Sequence, residues 1–332
     1  MEIVALQKKS GIPKYKQIVA SIETAIVNGQ LKKGDKLPSL NTIRNTHSLS
    51  RDTVLNAFNE LKNRGIINSV VGKGYYVSTE NITTKQKIFL LFDELNSFKE
   101  DLYNSFLKNL GPHIQVDIFF HHFNNAIFSK LINDSIGGYN YYVIMPANLQ
   151  DTEEIIQNLP KDKVYILDQI HKGLEAYPAI YQNFEKDVFE GLSSGLVSIK
   201  NYQKIVLLFS EEIQPKGILK GFKTFCKQHK ITHEVISSIE NRTLELGEIY
   251  LVLEDRNLIR IIKKVNENQF ILSKDIGIIS YNDTLLKEVV ANGITTISTN
   301  FNLMGATLAK MILNNEQIKV ENPSSLILRK SI

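Results

Sequence analysis

The sequence predicts an α/β chain in two parts, a small helical head closed by a β-hairpin and then two doubly wound α/β lobes. Three observations predict it. Apolar residues at helical spacing, each run opened by a proline or a serine, fill the first 65 positions. Two β-rich runs with a glycine turn between them follow at 66–77. From Lys87 onward, continuous apolar runs alternate with amphipathic stretches, the texture of parallel strands buried between helices.

The first helix is expected over 14–28, where Ile18, Val19, Ile22, Ala25 and Ile26 share one face, with Pro13 at its start and Gly29 after its end. Ser39 then caps a short helix carrying Leu40 and Ile43. Ser50 caps a longer one carrying Val54, Leu55, Ala57, Phe58 and Leu61, which Gly65 stops. Only Thr46-His47-Ser48-Leu49 is left between them, so the pair reads as a helix-turn-helix. Ile66–Val71, the turn Gly72-Lys73-Gly74 and Tyr75-Tyr76-Val77 make a hairpin directly after the second helix, which is the wing of a winged helix-turn-helix. This gives a DNA-binding domain over 1–78 and a polar linker over 79–86.

The remainder, 87–332, shows eight strand-like runs beginning near Ile88, Val116, Tyr141, Lys163, Lys204, His233, Ile249 and Ile276. Helical stripes lie between them at 98–110, 184–199 and 218–229. Eight strands exceed a comfortable single sheet, so two doubly wound subdomains are expected.

Composition and charge narrow the function. The chain has 332 residues, 43% apolar and 22% charged, a globular balance. No apolar run approaches the roughly 18–20 residues that cross a bilayer, and the N-terminus has no secretory h-region. Cys226 is the single cysteine, which excludes an internal disulfide and any cysteine-based zinc or redox motif. These features point to the cytoplasm. Residues 1–80 carry 12 Lys/Arg against 6 Asp/Glu, whereas 81–332 carry 27 against 29. A basic module joined to a slightly acidic one places the polyanion partner, double-stranded DNA, on the head.

The order Pro13-Lys14-Tyr15-Lys16-Gln17-Ile18, Gly29-Gln30-Leu31, Leu37-Pro38-Ser39, Leu49-Ser50-Arg51-Asp52-Thr53-Val54 and Gly72-Lys73-Gly74-Tyr75-Tyr76-Val77 resembles the GntR family of bacterial transcription regulators over residues 10–78. Physics supports a DNA role for these positions. The N-terminus of the recognition helix is a phosphate site, to which Ser50 and Thr53 add hydroxyls. Arg51 can reach a guanine edge, a contact of about 1–3 kcal/mol of discrimination. Asp52 serves the helix dipole, and Gly72 and Gly74 leave the wing slim so that Lys73 enters a minor groove. Tyr15 packs, with its hydroxyl free for a phosphate. Asn41 and Leu55 stand where the family often carries arginines, so readout leans on Arg51, Arg44, Asn41 and Asn56, with Ser39 and Thr42 at the first helix's cap.

For the second part, Asp168, Tyr181-Gln182-Asn183-Phe184-Glu185, Lys220-Gly221-Phe222, Val252-Leu253-Glu254-Asp255 and Asp275–Asp283 resemble the LacI-type, periplasmic-binding-protein-like fold. Arabinose- and fucose-responsive sugar-operon repressors are the regulators of this kind. The resemblance implies two lobes closing on a small ligand at their strand ends. The candidates are Asp93, Glu94, Asn96, His121, His122 and Asp168 in the first lobe and Glu254, Asp255, Asn282 and Asp283 in the second, with Tyr181 and Gln182 near the crossover. Carboxylates and amides interleaved with Phe98, Tyr181, Phe184 and Tyr281 suit a sugar, whose hydroxyls need acceptors and whose C–H face needs rings. Strand-end Asp and Asn also cap helices, and Asp283 has a structural reading beside Asn282. His121-His122 does not make a metal site, since neighbours on a strand point oppositely. Ile218 replaces an arginine common in relatives, which favours a neutral effector over an anionic one.

The expected function is a homodimeric, ligand-responsive repressor of a carbohydrate-utilisation operon, released by a neutral monosaccharide, with no cofactor and no membrane partner. The linker is expected to order or dock in one state. A sugar-modifying enzyme or an oligomerisation scaffold fused to a DNA-binding module is the alternative. The sequence shows no Gly-x-Ser-x-Gly, P-loop or His-x-x-x-His to support catalysis.

Overall fold

In the computed structural model, which describes residues 3–7, 11–80, 86–111 and 114–332, the head is built on α1 (Lys14–Val27), α2 (Leu40–His47) and α3 (Arg51–Asn63). Ile18, Ile22, Ile43, Val54, Phe58 and Leu61 close one apolar core among them. The antiparallel strands β1 (Ile67–Val70) and β2 (Gly74–Val77) form the wing. Backbone bonds from Gly34 to Val77, Leu37 to Tyr75 and Val77 to Asp35 lay the segment ahead of α2 along the wing as a third, irregular strand. The turn between α2 and α3 is tighter than the sequence suggested. Thr46 and His47 stay helical, and Ser48 in the left-handed conformation makes the corner.

Of the expected linker, residues 81–85 lie outside the described residues. Its first end is anchored, with Glu80 accepting the Lys33 N–H at 2.8 Å, and its last residue already belongs to a strand. That strand is β3 (Gln86–Phe92), which opens the first lobe, followed by α4 (Ser97–Leu110), β4 (Ile114–Phe120), α5 (Asn125–Ser135), β5 (Tyr141–Ile144), α6 (Thr152–Ile156), β6 (Val164–Asp168) and β7 (Ala179–Tyr181). The chain then crosses to the second lobe through α7 (Phe184–Ser194) and α8 (Leu196–Ile199), one expected helix broken at Gly195. The second lobe contains β8 (Lys204–Leu208), α9 (Lys216–His229), β9 (His233–Ile236), β10 (Glu248–Val252), α10 (Asp255–Glu267), β11 (Ile276–Tyr281), α11 (Leu285–Val289) and β12 (Thr295–Thr299). The chain returns through α12 (Phe301–Leu313) and β13 (Lys319–Glu321) to the first lobe and ends on β14 (Ser324–Ile327) in the second.

Each lobe therefore carries a six-stranded sheet. The first, in order β13-β7-β6-β5-β3-β4, is wholly parallel. The second, β14-β12-β11-β10-β8-β9, is parallel except for the edge strand β14. Strands such as Ile88–Phe92 are buried on both faces because helices cover both, as in doubly wound sheets. Helices meet closely where glycines allow. A Cβ on Gly305 of α12 would lie 2.3 Å from the Leu102 carbonyl oxygen of α4, and one on Gly221 of α9 would lie 2.3 Å from the Glu185 carbonyl oxygen of α7. Three crossings join the lobes and are tied to one another: Asn322 N–H to Tyr181, Asn300 N–H to Pro323, and the Asn322 side-chain amide to the Asn300 carbonyl.

Candidate nucleic-acid interface and effector cleft

Two serine caps shape the side of the head that carries the expected DNA contacts. Ser39 Oγ accepts the Thr42 N–H at 3.1 Å, and Ser50 Oγ accepts the Thr53 N–H at 3.2 Å. In each pair the two hydroxyls also lie 2.7 Å apart, so one hydroxyl hydrogen is consumed internally and one is left for a phosphate oxygen. Arg51, Asp52 and Asn56 stand exposed on α3, and Asn41 and Thr42 are exposed on α2. Arg44 is half-buried, with its guanidinium on the Asn45 side chain at 3.2 Å. Gly72 and Gly74 both adopt positive φ at the wing and leave Lys73 exposed at the tip.

Tyr15 is set apart from this group. Its ring packs on the head core, and burial, then the nearby Glu60, raises its hydroxyl pKa. Glu60 lies nine residues beyond Arg51, roughly 14 Å along the helix axis, so Tyr15 faces the opposite end of α3. Lys36 was missed by the sequence reading. Its Cε would be 3.3 Å from a Cβ on Gly74, which places an exposed lysine across the wing. The signal was present in the basic run Lys32-Lys33-Gly34-Asp35-Lys36 ahead of α2.

The second site lies between the lobes at the C-terminal ends of their strands. An open cleft of about 880 Å³ is lined by Asn148–Glu154 and Gln169–Lys172 of the first lobe and by Glu211, Glu212 and Pro215–Gly217 of the second, with Gln182 and Phe184 between them. Asn148 donates to the Gln214 carbonyl at 3.0 Å across it. Gln214 in turn donates to Glu254 at 3.1 Å, which accounts for one expected acceptor.

Some expected residues are brought together and others are engaged elsewhere. Asp168, the last residue of β6 and at positive φ, is buried, and one of its oxygens accepts from the Gln182 side chain. Burial pushes its carboxyl up to about 6, Lys99 and Gln182 opposing and Asp93 adding. Gln182 Oε1 and Asn282 Oδ1 are both buried without a hydrogen-bond partner. Asp93 is buried in an ion pair with Lys99 and also accepts the Glu94 N–H at 2.6 Å. His121 is fully buried, with Nε2 3.0 Å from the Met145 carbonyl. A carbonyl only accepts, so Nε2 carries the hydrogen and Nδ1, unpartnered, is an acceptor. Burial lowers its pKa, the Met145 bond and Asp93 opposing. Tyr181 ends β7 half-buried.

The remaining candidates have other roles. Asn96 caps α4 through the Lys99 N–H at 3.2 Å, and Phe98 packs on Phe301 with ring centroids 4.8 Å apart. Glu94 and His122 are exposed. Asp255 pairs with Lys287 at 2.9 Å. Asp283 is taken by Arg329 and by the Thr296 hydroxyl, the structural role the sequence allowed. Lys287, unflagged because it sits in the surface-like run Leu285–Val290, is buried and donates to the carbonyls of Tyr281 and Asn282 at 2.9 and 2.7 Å. It holds the left-handed turn that presents Asn282. Ile218 is a core residue of the second lobe.

The profile of bacterial regulatory proteins of the gntR family matches residues 14–77, and that of the periplasmic binding protein-like domain matches residues 199–332. The transcriptional repressor YtrA of Bacillus subtilis is 31% identical over 100 residues, 30% of this chain and 73% of that protein. The chain belongs to the gntR family. The arabinose metabolism transcriptional repressor of Geobacillus stearothermophilus is 37% identical over 82 residues, 24% of this chain but only 22% of that protein. Among solved structures, a LacI family transcriptional regulator from Silicibacter pomeroyi superposes with a TM-score of 0.63 at 10% identity, covering 74% of this chain and 98% of that one. This gntR-family member is a DNA-binding transcription regulator whose larger part has the LacI-like fold. No described helix is long and apolar enough to cross a membrane.

Proposed function

We propose that this gntR-family chain acts in the cytoplasm as a homodimeric repressor of a carbohydrate-utilisation operon and leaves its operator when a neutral monosaccharide binds between the lobes. The observation that carries the reading is Gln182, which lines the cleft beside the carboxylate of Asp168 with its Oε1 buried and unpartnered, as Asn282 Oδ1 is at the end of β11 in the other lobe. An unmatched buried acceptor is costly unless something donates to it, and a sugar hydroxyl is such a donor. Phe184 lines the cleft and offers an apolar surface for a sugar's C–H face.

The head supports operator binding through Arg51, Asn56, Asn41, Thr42 and Arg44, with Ser39, Ser50 and Thr53 on phosphates and Lys73 and Lys36 at the wing. Asp52 stays at the helix dipole and Tyr15 in the packing. The arabinose repressor named above matches over only 82 residues, so its sugar bears on the cleft by kinship alone. The proposed switch is linkage: the sugar binds the DNA-incompetent arrangement more tightly, with a coupling of about 1–3 kcal/mol.

The test is a melting-temperature screen of the full chain against neutral pentoses, hexoses and deoxysugars, followed by DNA binding with each sugar that stabilises. A sugar that raises the melting temperature and weakens DNA binding supports the reading. A panel with no stabilising sugar removes the sensor, and chemical turnover of a bound sugar would make the second part an enzyme.

A further inference from the structure

One buried carboxylate, a few residues beyond the cleft-lining Gln182 and Phe184, was not among the residues expected to bind. Asp187 sits in the first turn of α7, directly after the crossing at Gln182-Asn183, and is 6% exposed. Its Oδ2 has no hydrogen-bond partner. Among the described residues no cation forms an ion pair with it, and the adjacent Lys186 is turned to Glu321 at 2.7 Å. Across from it, at the end of β11, the hydroxyl of Tyr281 is also buried and unpartnered. Asp187 and Asp168 are the two charged neighbours felt by the Tyr281 ring. The two orphan groups are electrostatic neighbours yet not hydrogen-bonded to each other, so Asp187 Oδ2 is without a donor and the Tyr281 hydroxyl without an acceptor, and a ligand hydroxyl could serve both.

We propose that Asp187 and Tyr281 form the ligand-selecting corner of the cleft, where Asp187 accepts a hydroxyl hydrogen of the effector and a carboxylated counterpart of that effector is turned away. The inference rests on the proposed sugar function and deepens it by naming the residue that sets the ligand's class. Continuity supports it. Gln182, five residues before Asp187, lines the cleft, Asn282 follows Tyr281 directly, and the oxygens Gln182 Oε1 and Asn282 Oδ1 are both buried, unpartnered acceptors. With Asp187 they form a surface that a polyol's hydroxyls satisfy and a second carboxylate would repel. A fold has little use for an unpaired buried charge and loses stability by keeping one, whereas a binding site keeps it for its ligand.

The experiment uses the full chain, its Asp187→Asn and Tyr281→Phe variants, and thermal melts at pH 8 without sugar. The melts are then repeated with D-galactose, L-arabinose, L-fucose, D-galacturonate and D-galactosamine. Both variants are expected to melt about 2–4 °C above the parent without sugar. Neutral sugars that stabilise the parent should lose most of their effect on Asp187→Asn, and galacturonate should stabilise none. A lower melting temperature for Asp187→Asn would show that the carboxylate serves the fold and would overturn the proposal. Equal stabilisation of parent and variant by one neutral sugar would also overturn it while leaving the sugar function standing. A more stable Asp187→Asn, with only galactosamine acting on the parent, would keep the corner and remove the neutral-sugar reading.

Discussion

Arg329 forks onto Asp283, its two terminal nitrogens 2.6 and 2.8 Å from the two carboxylate oxygens. The last turn of the chain is thereby fastened to the loop that carries Asn282. The pair is mostly buried, and the Thr296 hydroxyl adds a third bond at 2.9 Å. Removing either partner leaves the other charge uncompensated, so Asp283→Ala and Arg329→Ala should each cost about 2–4 kcal/mol. A double-mutant cycle in denaturant would show most of that loss shared. Burial alone would raise the Asp283 carboxyl, but Arg329 and Thr296 together hold it below the usual range. A depressed folded pKa means the stabilisation is fully present above about pH 4 and disappears as pH falls through the folded value. Acid melts should therefore differ between parent and Asp283→Asn at neutral pH and converge toward pH 2.

Asp168 has the opposite sign. Its folded carboxyl is raised to about 6 by burial, with Lys99, Gln182 and Gln169 opposing and Asp93 adding. The folded state thus holds a proton that the unfolded chain releases near pH 4, and this group adds stability as pH falls from about 7 toward 4. Asp168→Asn should flatten that part of the pH–stability curve. Sugar affinity should fall below about pH 6 in the parent, because the protonated carboxyl is a weaker acceptor; titration calorimetry across that range checks it.

On the DNA side, Arg51 and the two wing lysines should behave differently. Arg51→Ala should flatten the preference at one base pair, a loss of about 1–3 kcal/mol of discrimination. Lys36→Ala and Lys73→Ala should instead weaken binding to all duplexes and lower the salt slope by about 1 each. Selection from a random duplex pool, followed by anisotropy titrations at several salt concentrations, separates the two behaviours.

Ser39 caps α2 in the same way that Ser50 caps α3, but α2 is only eight residues long. Ser39→Ala should cost about 1 kcal/mol, visible as a drop in the melting transition of the head.

The head was legible in the sequence because its signals are local. Two Ser-x-x-Thr caps, glycines at 65, 72 and 74 and the stripe on α3 each act within a few residues. The lobes were legible as alternating strands and helices, but β7, β12, β13 and β14 were missed. β7 and β13 have three residues each, too few to show a pattern, and are fixed by pairing, β7 on β6 and β13 on β7 across more than a hundred residues of chain. In the cleft, the rule that strand ends carry ligands drew attention to Asp168, Gln182 and Asn282, the residues on which the proposed site rests. It could not tell that Asp283 is occupied, because its partner lies 46 residues later. Nor could it find Asp187 or Lys287, whose burial depends on elements far away in the chain.

The central claim is that occupancy of the cleft controls the grip of the head on DNA. The most direct measurement titrates the full chain onto a duplex selected from a random pool, with and without a neutral sugar that raises its melting temperature. The account predicts that the sugar weakens DNA binding by roughly 5- to 150-fold, the range of ordinary coupling energies, and that Asn282→Ala abolishes the sugar's effect while leaving sugar-free DNA affinity unchanged. A sugar that stabilises the protein yet leaves its DNA affinity untouched would contradict it.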